Sequence, residues 1–371
     1  DLGPDHPLWQ APLPDAPKAP GPSPAAYGGN TAAFTHADYF QALQAYIRGP
    51  GLGLVARAVA ARQAGRPILT DPNRITINLE KHGEFYHPAR LVVATPETEI
   101  SFVLNVALTP TGQAWMTSEV AALPRVAARL PAGRVPTVFG QATLPGLAQT
   151  ALTLFLADWF DGFHEFHLSV DPRSGRQGMR VWDTAEIPFF LAEPQQAEVY
   201  RQAAYLLTRA YDPATTEQIY PWHHAFRRVL FRSDDGAIAL RLISVRQYAP
   251  TLGEGGPLDD DARLTALLVF FLNLTVRNRL DRLDGTGPAA WAAPLAVPAT
   301  LTGVFEALGA KWAKALGGLL MAYRVSELTA TLEAVVERYR LMPMETDLIH
   351  ANLASHAEVL HETLHTMFRT G

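Results

Sequence analysis

Hydrophobic and polar residues follow two different periods along this chain, and the change of period divides it. From residue 74, apolar side chains begin to alternate with polar ones, as in "RITINLE", and segments up to about residue 158 predict β-strands. The strand segments read "RITINLE", "ARLVVAT", "EISFVLNVAL", "RVPTVFG" and "LTLFLADWF", and a helical pattern at 112–130 separates the third from the fourth. Three strands, a helix and two strands predict a small antiparallel sheet with one helix packed on it.

Helical spacing dominates after residue 186. The principal predicted helices span 194–211, 260–281, 301–323, 326–340 and 346–369, with a pair of strands around 229–246. Two more helices precede the sheet, one with Thr35 as its N-cap and one at 52–64. The glycine-rich turn "GPGLG" between them follows a helix rather than a strand, so we interpret it as a helix–helix turn and not as a dinucleotide loop.

Proline is concentrated in residues 1–30, where its fixed φ and missing N–H oppose both helices and strand ladders. This segment is therefore predicted to be an extended arm or a disordered tail. Together with the changes of period, it divides the chain into four parts. They are the arm, an N-terminal helical segment at 31–73, a small β-rich lobe at 74–158 and a large helical lobe at 159–371.

The composition favours a globular protein, because 48% of the 371 residues are hydrophobic and 18% are charged. The net charge is -5 with both signs interspersed, so neither a nucleic acid nor a membrane is expected as a partner. The absence of cysteine excludes disulfides, thiolate nucleophiles and cysteine-ligated metals. The most apolar helix, 264–276, is too short to cross a bilayer. We therefore expect a soluble, cytoplasmic protein, with a processed N-terminus left open by the initial Asp1.

Four segments carry a resemblance to a known family. "SEVAALPRVAARLPAGRVPTVFG" is similar to a helix C followed by Val-Pro and strand four, and "FLADWFDGFHEF" resembles strand five with a hinge. "WHHAFRRVLF" resembles a His-Gly-Asp catalytic loop, and "LRLISVRQY" lies where a strand would end in a metal-binding Asp. In this order, over roughly residues 74–280, they resemble the protein-kinase-like fold, in particular its aminoglycoside phosphotransferase branch. The resemblance implies an α+β fold of two lobes, a small antiparallel β-sheet lobe with one helix and a larger, mainly helical lobe.

The same resemblance implies that the usual catalytic residues are missing. The strand-three lysine that holds nucleotide phosphates corresponds to Asn105, which leaves Glu119 of helix C without a lysine to pair with. The catalytic Asp corresponds to His223, and the two metal-binding positions correspond to Arg228 and Ser244. Magnesium-dependent phosphotransfer of the usual kind is therefore not expected. No cofactor is expected either, and ATP binding without a metal is left open.

The segment "WHHAFRRVLF", which we call the histidine loop, has two interpretations. His223 or His224 could replace the missing carboxylate as a general base, with Arg227 and Arg228 holding an anion by bidentate hydrogen bonds. Alternatively, the histidines are structural and the arginines cover the surface of a hairpin. The favoured hypothesis is a pseudoenzyme that binds an unknown small molecule or protein. The alternative is a divergent small-molecule phosphotransferase.

The segment "DGFHEFHLSVD" gathers histidines and carboxylates just after the hinge, at the expected mouth of the cleft. Asp161 is a candidate catalytic carboxylate, and Glu165 is a candidate ligand-binding one. His164 and His167 could bind a transition metal if the segment is helical, whereas the alternation in "HLSV" favours a strand. A polar hinge loop without chemistry is the simpler interpretation.

Aromatic residues and a glycine turn complete the candidate ligand site. Trp159 and Phe163 belong to an aromatic cluster that either stacks a flat ligand or closes the core between the lobes. Gly83 lies in the predicted turn "KHGE" between the first two strands, and it is also a candidate ligand-binding residue.

The pattern "HETLH" offers a separate chemical hypothesis. On a helix, His361 and His365 share one face, and Glu362 could act as base on a zinc-bound water, as in a zinc hydrolase. A third ligand would have to come from upstream. Leu360 and Leu364 fit the buried stripe of an ordinary amphipathic helix with exposed histidines, which is the favoured interpretation.

Overall fold

The chain divides into two compact units. The computed structural model describes residues 3–13, 34–63, 74–80, 83, 85–144, 151–182, 189–220, 229–234, 237–251, 258–339 and 343–369. Unit 1 comprises Asp1–Pro124 and Pro136–Asp161, and unit 2 comprises Arg125–Val135 and Gly162–Gly371. The division into four parts made from the sequence stays a prediction.

Unit 1 is built on an antiparallel five-stranded sheet with the strand order β1-β2-β3-β5-β4. Helices α1 (His36–Arg48) and α2 (Leu52–Arg62) precede the sheet, and helix α3 (Pro110–Ala127) is inserted between β3 and β4. The strands are β1 (Arg74–Leu79), β2 (Ala89–Ala94), β3 (Glu99–Ala107), β4 (Val138–Leu144) and β5 (Leu152–Asp158). The predicted series of three strands, one helix and two strands is confirmed.

Alternation along β3 explains why one face of this sheet is buried. Phe102, Leu104 and Val106 are fully buried and share one apolar cluster with residues of α1 and α2. Successive side chains of a strand point to opposite faces, so Val103 and Asn105 lie on the other face. These two residues are only half-buried. Helices α1 and α2 therefore cover the face of the sheet that is opposite Asn105.

The start of the chain is held against α1. Thr35 caps this helix as predicted, since its hydroxyl oxygen accepts from the N–H of Asp38 while its own N–H donates to the Asp38 carboxylate. Trp9 is buried and stacks on Phe40 with ring centroids 6.2 Å apart. The His36 N–H donates to the carbonyl of Ala11. The described part of the proline-rich segment, residues 3–13, is thus packed on unit 1.

Unit 2 begins with a three-stranded antiparallel sheet. Strands β6 (Glu165–Val170), β7 (Gln177–Trp182) and β8 (Phe189–Phe190) form it in that order. Two-stranded pairs follow, made by β9 (Glu217–Tyr220) with β12 (Gln247–Pro250), β10 (Val229–Asp234) with β11 (Ala237–Leu242), and β13 (Leu280–Arg282) with β14 (Ala289–Trp291). The strand that the alternation in "HLSV" favoured is confirmed, so His164 and His167 do not share a helix face.

The rest of unit 2 is mainly helical. Its helices are α4 (Glu193–Ala210), α5 (Asp260–Arg277), α6 (Ala296–Ala307), α7 (Ala310–Met321), α8 (Val325–Arg338) and α9 (Pro343–Arg369). The prediction of one helix over 301–323 is wrong, because the chain becomes extended at Leu308 and Gly309, which separate α6 from α7. Both helices bury apolar side chains, so the hydrophobic period continues across the break and hides it. The other predicted helices are confirmed to within a few residues.

Helices α4 and α6 approach each other closely at a glycine. A side chain at Gly303 would place its Cβ only 2.1 Å from the carbonyl oxygen of Arg201, so the contact requires the absence of a side chain. The α+β class predicted from the sequence is confirmed by a small antiparallel sheet with one inserted helix and a second, mainly helical unit. Among the described residues, no helix combines the length and apolar character needed to cross a membrane.

Candidate functional site

The candidate site on unit 1 is the face of the sheet that carries Asn105. Asn105 pairs in register with Phe155 of β5, and Val103 pairs with Arg90 of β2. Residues directly opposite one another in a ladder project to the same face. We call this surface, defined by Arg90, Val103, Asn105 and Phe155, the Asn105 face. It lies opposite the apolar cluster formed with α1 and α2.

Asn105 occupies the middle of β3 and is half-buried. Its neighbour Phe155 is almost fully buried and meets Tyr86 edge-on, with ring centroids 6.3 Å apart. Asn105 therefore presents a neutral amide beside an aromatic wall. An amide donates and accepts hydrogen bonds, but it carries no charge with which to neutralise a phosphate.

Glu119, the predicted helix-C glutamate, lies on α3 and is only 1% exposed. The N-terminal end of α3 packs near the end of β3, because a Cβ on Gly112 would lie 3.4 Å from the Ala107 Cβ. Phe85 and Trp115 meet at the same end of the helix, with ring centroids 5.5 Å apart. The structure thus places Glu119 on the inserted helix of unit 1, as predicted.

Two predicted site residues, Trp159 and Asp161, are brought together by Arg90. The Arg90 guanidinium donates to the Ser101 hydroxyl from Nε at 3.1 Å and from Nη2 at 2.9 Å. Nη2 also lies 3.0 Å from Asp161 Oδ1, and the guanidinium carbon lies 5.1 Å from the centroid of the Trp159 ring. The side chains of Arg90 and Asp161 are 36% and 56% exposed. They form a charged, solvent-accessible cluster beside an indole ring.

Sequence reasoning missed Arg90, although a signal for it exists. In "ARLVVAT" the apolar residues alternate so that Arg90 falls on the face opposite Leu91. The register of β2 with β3 then places it on the Asn105 face. The sequence alone does not reveal this register, because the register also depends on the geometry of the turn between the strands. Asp161, a candidate catalytic carboxylate, is found as the ion-pair partner of this arginine.

Gly83 lies in the connection between β1 and β2 and forms a tight turn. Its N–H donates to the carbonyl of Tyr86 at 2.9 Å, and a Cβ on this glycine would lie 2.9 Å from the same oxygen. A side chain would therefore force this turn open. The role that the structure gives to Gly83 is to let the backbone close on Tyr86.

The remaining described candidates belong to unit 2. Phe163 is buried, and its ring centroid lies 4.9 Å from the guanidinium carbon of Arg232 and 4.4 Å from that of Arg241. Glu165 is exposed at the start of β6, and Ser244 lies in the connection between β11 and β12. Phe163 thus serves as a platform for two guanidinium groups, which is a structural use of its ring.

The histidine loop lies outside the described residues. His223, His224, Arg227 and Arg228 all fall in the segment 221–228, which the structure does not describe. Their roles as base and anion ligands stay predictions.

His164 and His167 are held by unrelated contacts in unit 2. His164 pairs with Phe231 through both backbone hydrogen bonds, and His167 Nδ1 lies 3.1 Å from Asp281 Oδ1. Asp281 is buried and also accepts from the N–H of Leu168 at 2.8 Å. This carboxylate fixes β6 against β13 and orients the His167 ring.

The histidines of "HETLH" lie on α9, as predicted. His361 and His365 are half-buried, and their Nε2 atoms are 3.0 Å apart. Glu362 between them is exposed. Within the described ranges, no group of three or more His, Cys, Asp and Glu side chains is placed to hold a metal ion.

Comparisons with known proteins add one structural likeness. The chain matches no protein-family model and no curated protein sequence. Among solved structures, it is similar to the autoinhibited serine kinase domain of the giant muscle protein titin. That likeness has 10% sequence identity and a TM-score of 0.33, and covers 80% of this chain and 88% of that one. The kinase-like interpretation rests instead on unit 1 itself, in which a helix separates the third and fourth of five antiparallel strands. The aminoglycoside phosphotransferase branch stays a prediction.

Proposed function

We propose that this chain is a kinase-like pseudoenzyme, a ligand-binding or regulatory module that does not carry out magnesium-dependent phosphotransfer. The observation that carries the proposal is the chemistry of the Asn105 face. Its central strand offers a neutral amide, and the cation on the neighbouring strand, Arg90, is already engaged by Ser101 and Asp161.

Phosphate binding in a kinase-like site depends on the charge and the position of one side chain. A kinase-like site holds the nucleotide phosphates with a lysine on its third strand, which acts as a positive point charge. On β3, the corresponding residue is the uncharged Asn105, and Arg90 lies on the neighbouring strand β2. The Arg90 guanidinium would have to leave Asp161 to reach a phosphate in the lysine's place, and this exchange of partners lowers the gain from binding.

Magnesium binding depends on oxygen ligands. Magnesium prefers carboxylates and water in octahedral geometry. By the family resemblance, the two protein positions that would supply oxygen ligands hold Arg228 and Ser244. A guanidinium repels a divalent cation, and a serine hydroxyl is a weaker ligand than a carboxylate. The residue types at these positions therefore support loss of the magnesium site.

Arg90 and Trp159 also suggest what kind of molecule this module binds. A guanidinium beside an indole ring, both reachable from solvent, suits a flat anionic molecule, which can pair with the cation and stack on the ring. A nucleotide without a metal belongs to this class. A ligand carboxylate or phosphate would replace Asp161 as the partner of Arg90.

Titration with ATP in the presence of a metal chelator tests this proposal. Thermal unfolding of the wild-type protein is compared with that of Arg90→Gln and of Arg74→Gln, a matched control. Arg74 is another arginine of the same sheet, and its partner is the exposed Glu99. We expect ATP to raise the unfolding midpoint of the wild type and of Arg74→Gln, and Arg90→Gln to bind about tenfold more weakly.

ATP turnover separates the pseudoenzyme from the divergent phosphotransferase. The proposal expects no turnover with magnesium or manganese. Turnover that disappears in His223→Ala would establish the phosphotransferase and overturn the proposal. Binding of ATP that is unchanged in Arg90→Gln would remove the Asn105 face as the ligand site.

A further inference from the structure

The last turns of α9 carry a pair of histidines with the geometry of a chelate. His361 and His365 are four residues apart, so they lie above one another on one side of the helix. Their ring centroids are 4.2 Å apart with the planes inclined by 51°, and their Nε2 atoms are 3.0 Å apart. The two Nε2 atoms are therefore closer to each other than the ring centroids are.

We propose that His361 and His365 bind one divalent transition-metal ion through their Nε2 atoms. Imidazole nitrogens lie about 2.0–2.1 Å from zinc, and two such ligands at angles of 90–110° are separated by roughly 2.9–3.4 Å. The observed separation of 3.0 Å falls inside this range. The ion would fit without a change in the helix backbone. This inference is independent of the proposed function of unit 1.

Metal binding fixes the protonation of the pair. Only neutral imidazole coordinates, since the ligating nitrogen must be free of its proton. Without a metal, the two rings form a hydrogen bond, in which one Nε2 carries a proton and donates it to the Nε2 of the other ring.

One free-energy cost opposes metal binding, and it decides which ions are preferred. Both Nε2 atoms must be unprotonated, so each ring then carries its proton on Nδ1. The Nδ1 atom of His365 is enclosed and has no hydrogen-bond partner in the described part of the chain. Placing a proton there costs free energy. The ion must overcome this cost, which favours Cu²⁺, the divalent ion with the strongest affinity for nitrogen ligands, over Zn²⁺.

The remaining coordination positions would be filled by water. Glu362 follows His361 directly, so it projects about 100° around the helix from it and is exposed. Among the described residues, no third His, Cys, Asp or Glu is placed to complete a metal site. The site is therefore a two-histidine chelate rather than the three-ligand centre of a zinc hydrolase.

Such a chelate would stiffen the end of α9 where it packs on other helices. Phe368, one turn beyond His365, meets Phe305 of α6 edge-on with ring centroids 5.1 Å apart. The same ring lies 2.8 Å from the position that a Cβ on Gly317 of α7 would occupy. An ion that joins two successive turns stabilises only the helical state, so it raises the stability of the folded protein.

The test measures metal binding to the full chain by calorimetry and by thermal unfolding, with Cu²⁺, Zn²⁺ and Mg²⁺ as separate probes. The variants are His361→Gln and His365→Gln, which remove one nitrogen each. The matched control is His350→Gln on the same helix, where His350 pairs with Glu337. A control is needed because the chain has 12 histidines. The thermal unfolding midpoint of each variant, measured without metal, verifies that the variant folds.

We expect one Cu²⁺ to bind per chain, with Zn²⁺ weaker and Mg²⁺ without effect. Either glutamine variant should weaken Cu²⁺ binding at least tenfold and remove the rise in midpoint, and His350→Gln should keep both. The electron paramagnetic resonance spectrum of bound Cu²⁺ should show coupling to imidazole nitrogen that is reduced in each single variant. Binding that both variants retain in full, or no binding at 100 µM Cu²⁺, would overturn the proposal.

Discussion

Two contacts between polar side chains, one in each unit, differ in their burial. On the Asn105 face of unit 1, Arg90 and Asp161 form an ion pair whose side chains are 36% and 56% exposed. In unit 2, Arg279 and His356 are 4% and 0% exposed, and their contacts are enclosed by helices and strands of the same unit. We call Arg279, His356 and the groups to which they bond the buried layer, and the pKa values of Arg279 and His356 are both strongly shifted.

The buried layer has a defined direction of hydrogen bonding. Arg279 donates from Nε and Nη2 to the carbonyl of Ala292, and its Nη1 lies 3.3 Å from His356 Nδ1. Arginine only donates, so His356 Nδ1 accepts and its proton is on Nε2. Nε2 then donates to the Thr275 hydroxyl at 3.1 Å, which in turn donates to the carbonyl of Leu272 at 2.8 Å. This chain of bonds joins α5, α9 and β14.

Burial sets the charges in this layer. It lowers the pKa of Arg279 to about 10, which leaves the guanidinium charged at pH 7. Burial, and then the charge of Arg279, lowers the pKa of His356 to about 3, which leaves the imidazole neutral. Shifted pKa values often mark active sites, but here the groups bond to one another and to the backbone. Unit 2 thus uses Arg279 and His356 for folding.

The largest effect is expected from breaking the second buried contact of this unit. Glu345 is 1% exposed and lies 3.8 Å from Arg277 Nη1 and 3.5 Å from Arg282 Nη2. In Glu345→Ala, two enclosed cations lose their carboxylate, which should lower the free energy of unfolding by about 3–5 kcal/mol. Chemical denaturation measures the change. The control Glu99→Ala, which removes an exposed partner of Arg74, should change it by less than about 1 kcal/mol.

The next effect is expected at the contact of α4 with α6. Gly303→Ala would place a Cβ 2.1 Å from the Arg201 carbonyl oxygen, so the helices must separate, at a cost of about 1–3 kcal/mol. The control is Gly318→Ala in α7, where a Cβ would meet nothing within 4 Å. This second substitution should stabilise the protein by about 0.5–1 kcal/mol, because alanine favours the helix. Equal changes in the free energy of unfolding for the two substitutions would contradict the close approach of α4 and α6.

A pH effect is expected from His356. Its pKa is about 3 in the folded protein and near the ordinary 6.5 when unfolded. Above pH 6.5 the ring is neutral in both states and contributes nothing to the pH dependence. Below pH 6.5 the unfolded state binds the proton and the folded state does not, so stability falls by about 1.4 kcal/mol per pH unit. Denaturation at pH 7 and pH 5.5 measures it. The decline should be smaller in His356→Gln by about this amount, and an identical decline would contradict the assignment.

The smallest effect on stability is expected at the Asn105 face. Asp161→Asn removes an exposed ion pair, so it should change the free energy of unfolding by less than about 1 kcal/mol. It also frees the Arg90 guanidinium for an anion, so ATP should bind more tightly to this variant in a calorimetric titration. A large loss of stability would show that the ion pair is structural and would remove the contrast between the units.

Local patterns in the sequence account for most of the elements but not for their partners. The alternation of "EISFVLNVAL" predicts β3, and Thr35 followed by Asp38 predicts the start of α1, because both signals are local. The break between α6 and α7 escapes the same reasoning, since apolar residues continue in register across Leu308. Of the three-stranded sheet β6-β7-β8, only part of β6 was predicted, from the alternation in "HLSV", and β7 and β8 were not predicted.

The candidate site shows the same limit more strongly. The position of Asn105 on β3 follows from the local pattern, whereas the role of Arg90 depends on the pairing of β2 with β3 and on a contact with Asp161, 71 residues away. No local pattern marks the role of His356, since its contact with Arg279 spans 77 residues. A single sequence does not record such long-range pairs, so the buried layer of unit 2 could not be predicted.

Thermal unfolding with ATP, measured once with a chelator and once with magnesium, decides whether this protein binds a nucleotide without a metal. A pseudoenzyme without a metal site should show the same midpoint shift in both conditions, because the ligand binds the folded state without the ion. A shift that appears only with magnesium would contradict the proposed function, since it requires metal ligands that Arg228 and Ser244 do not provide.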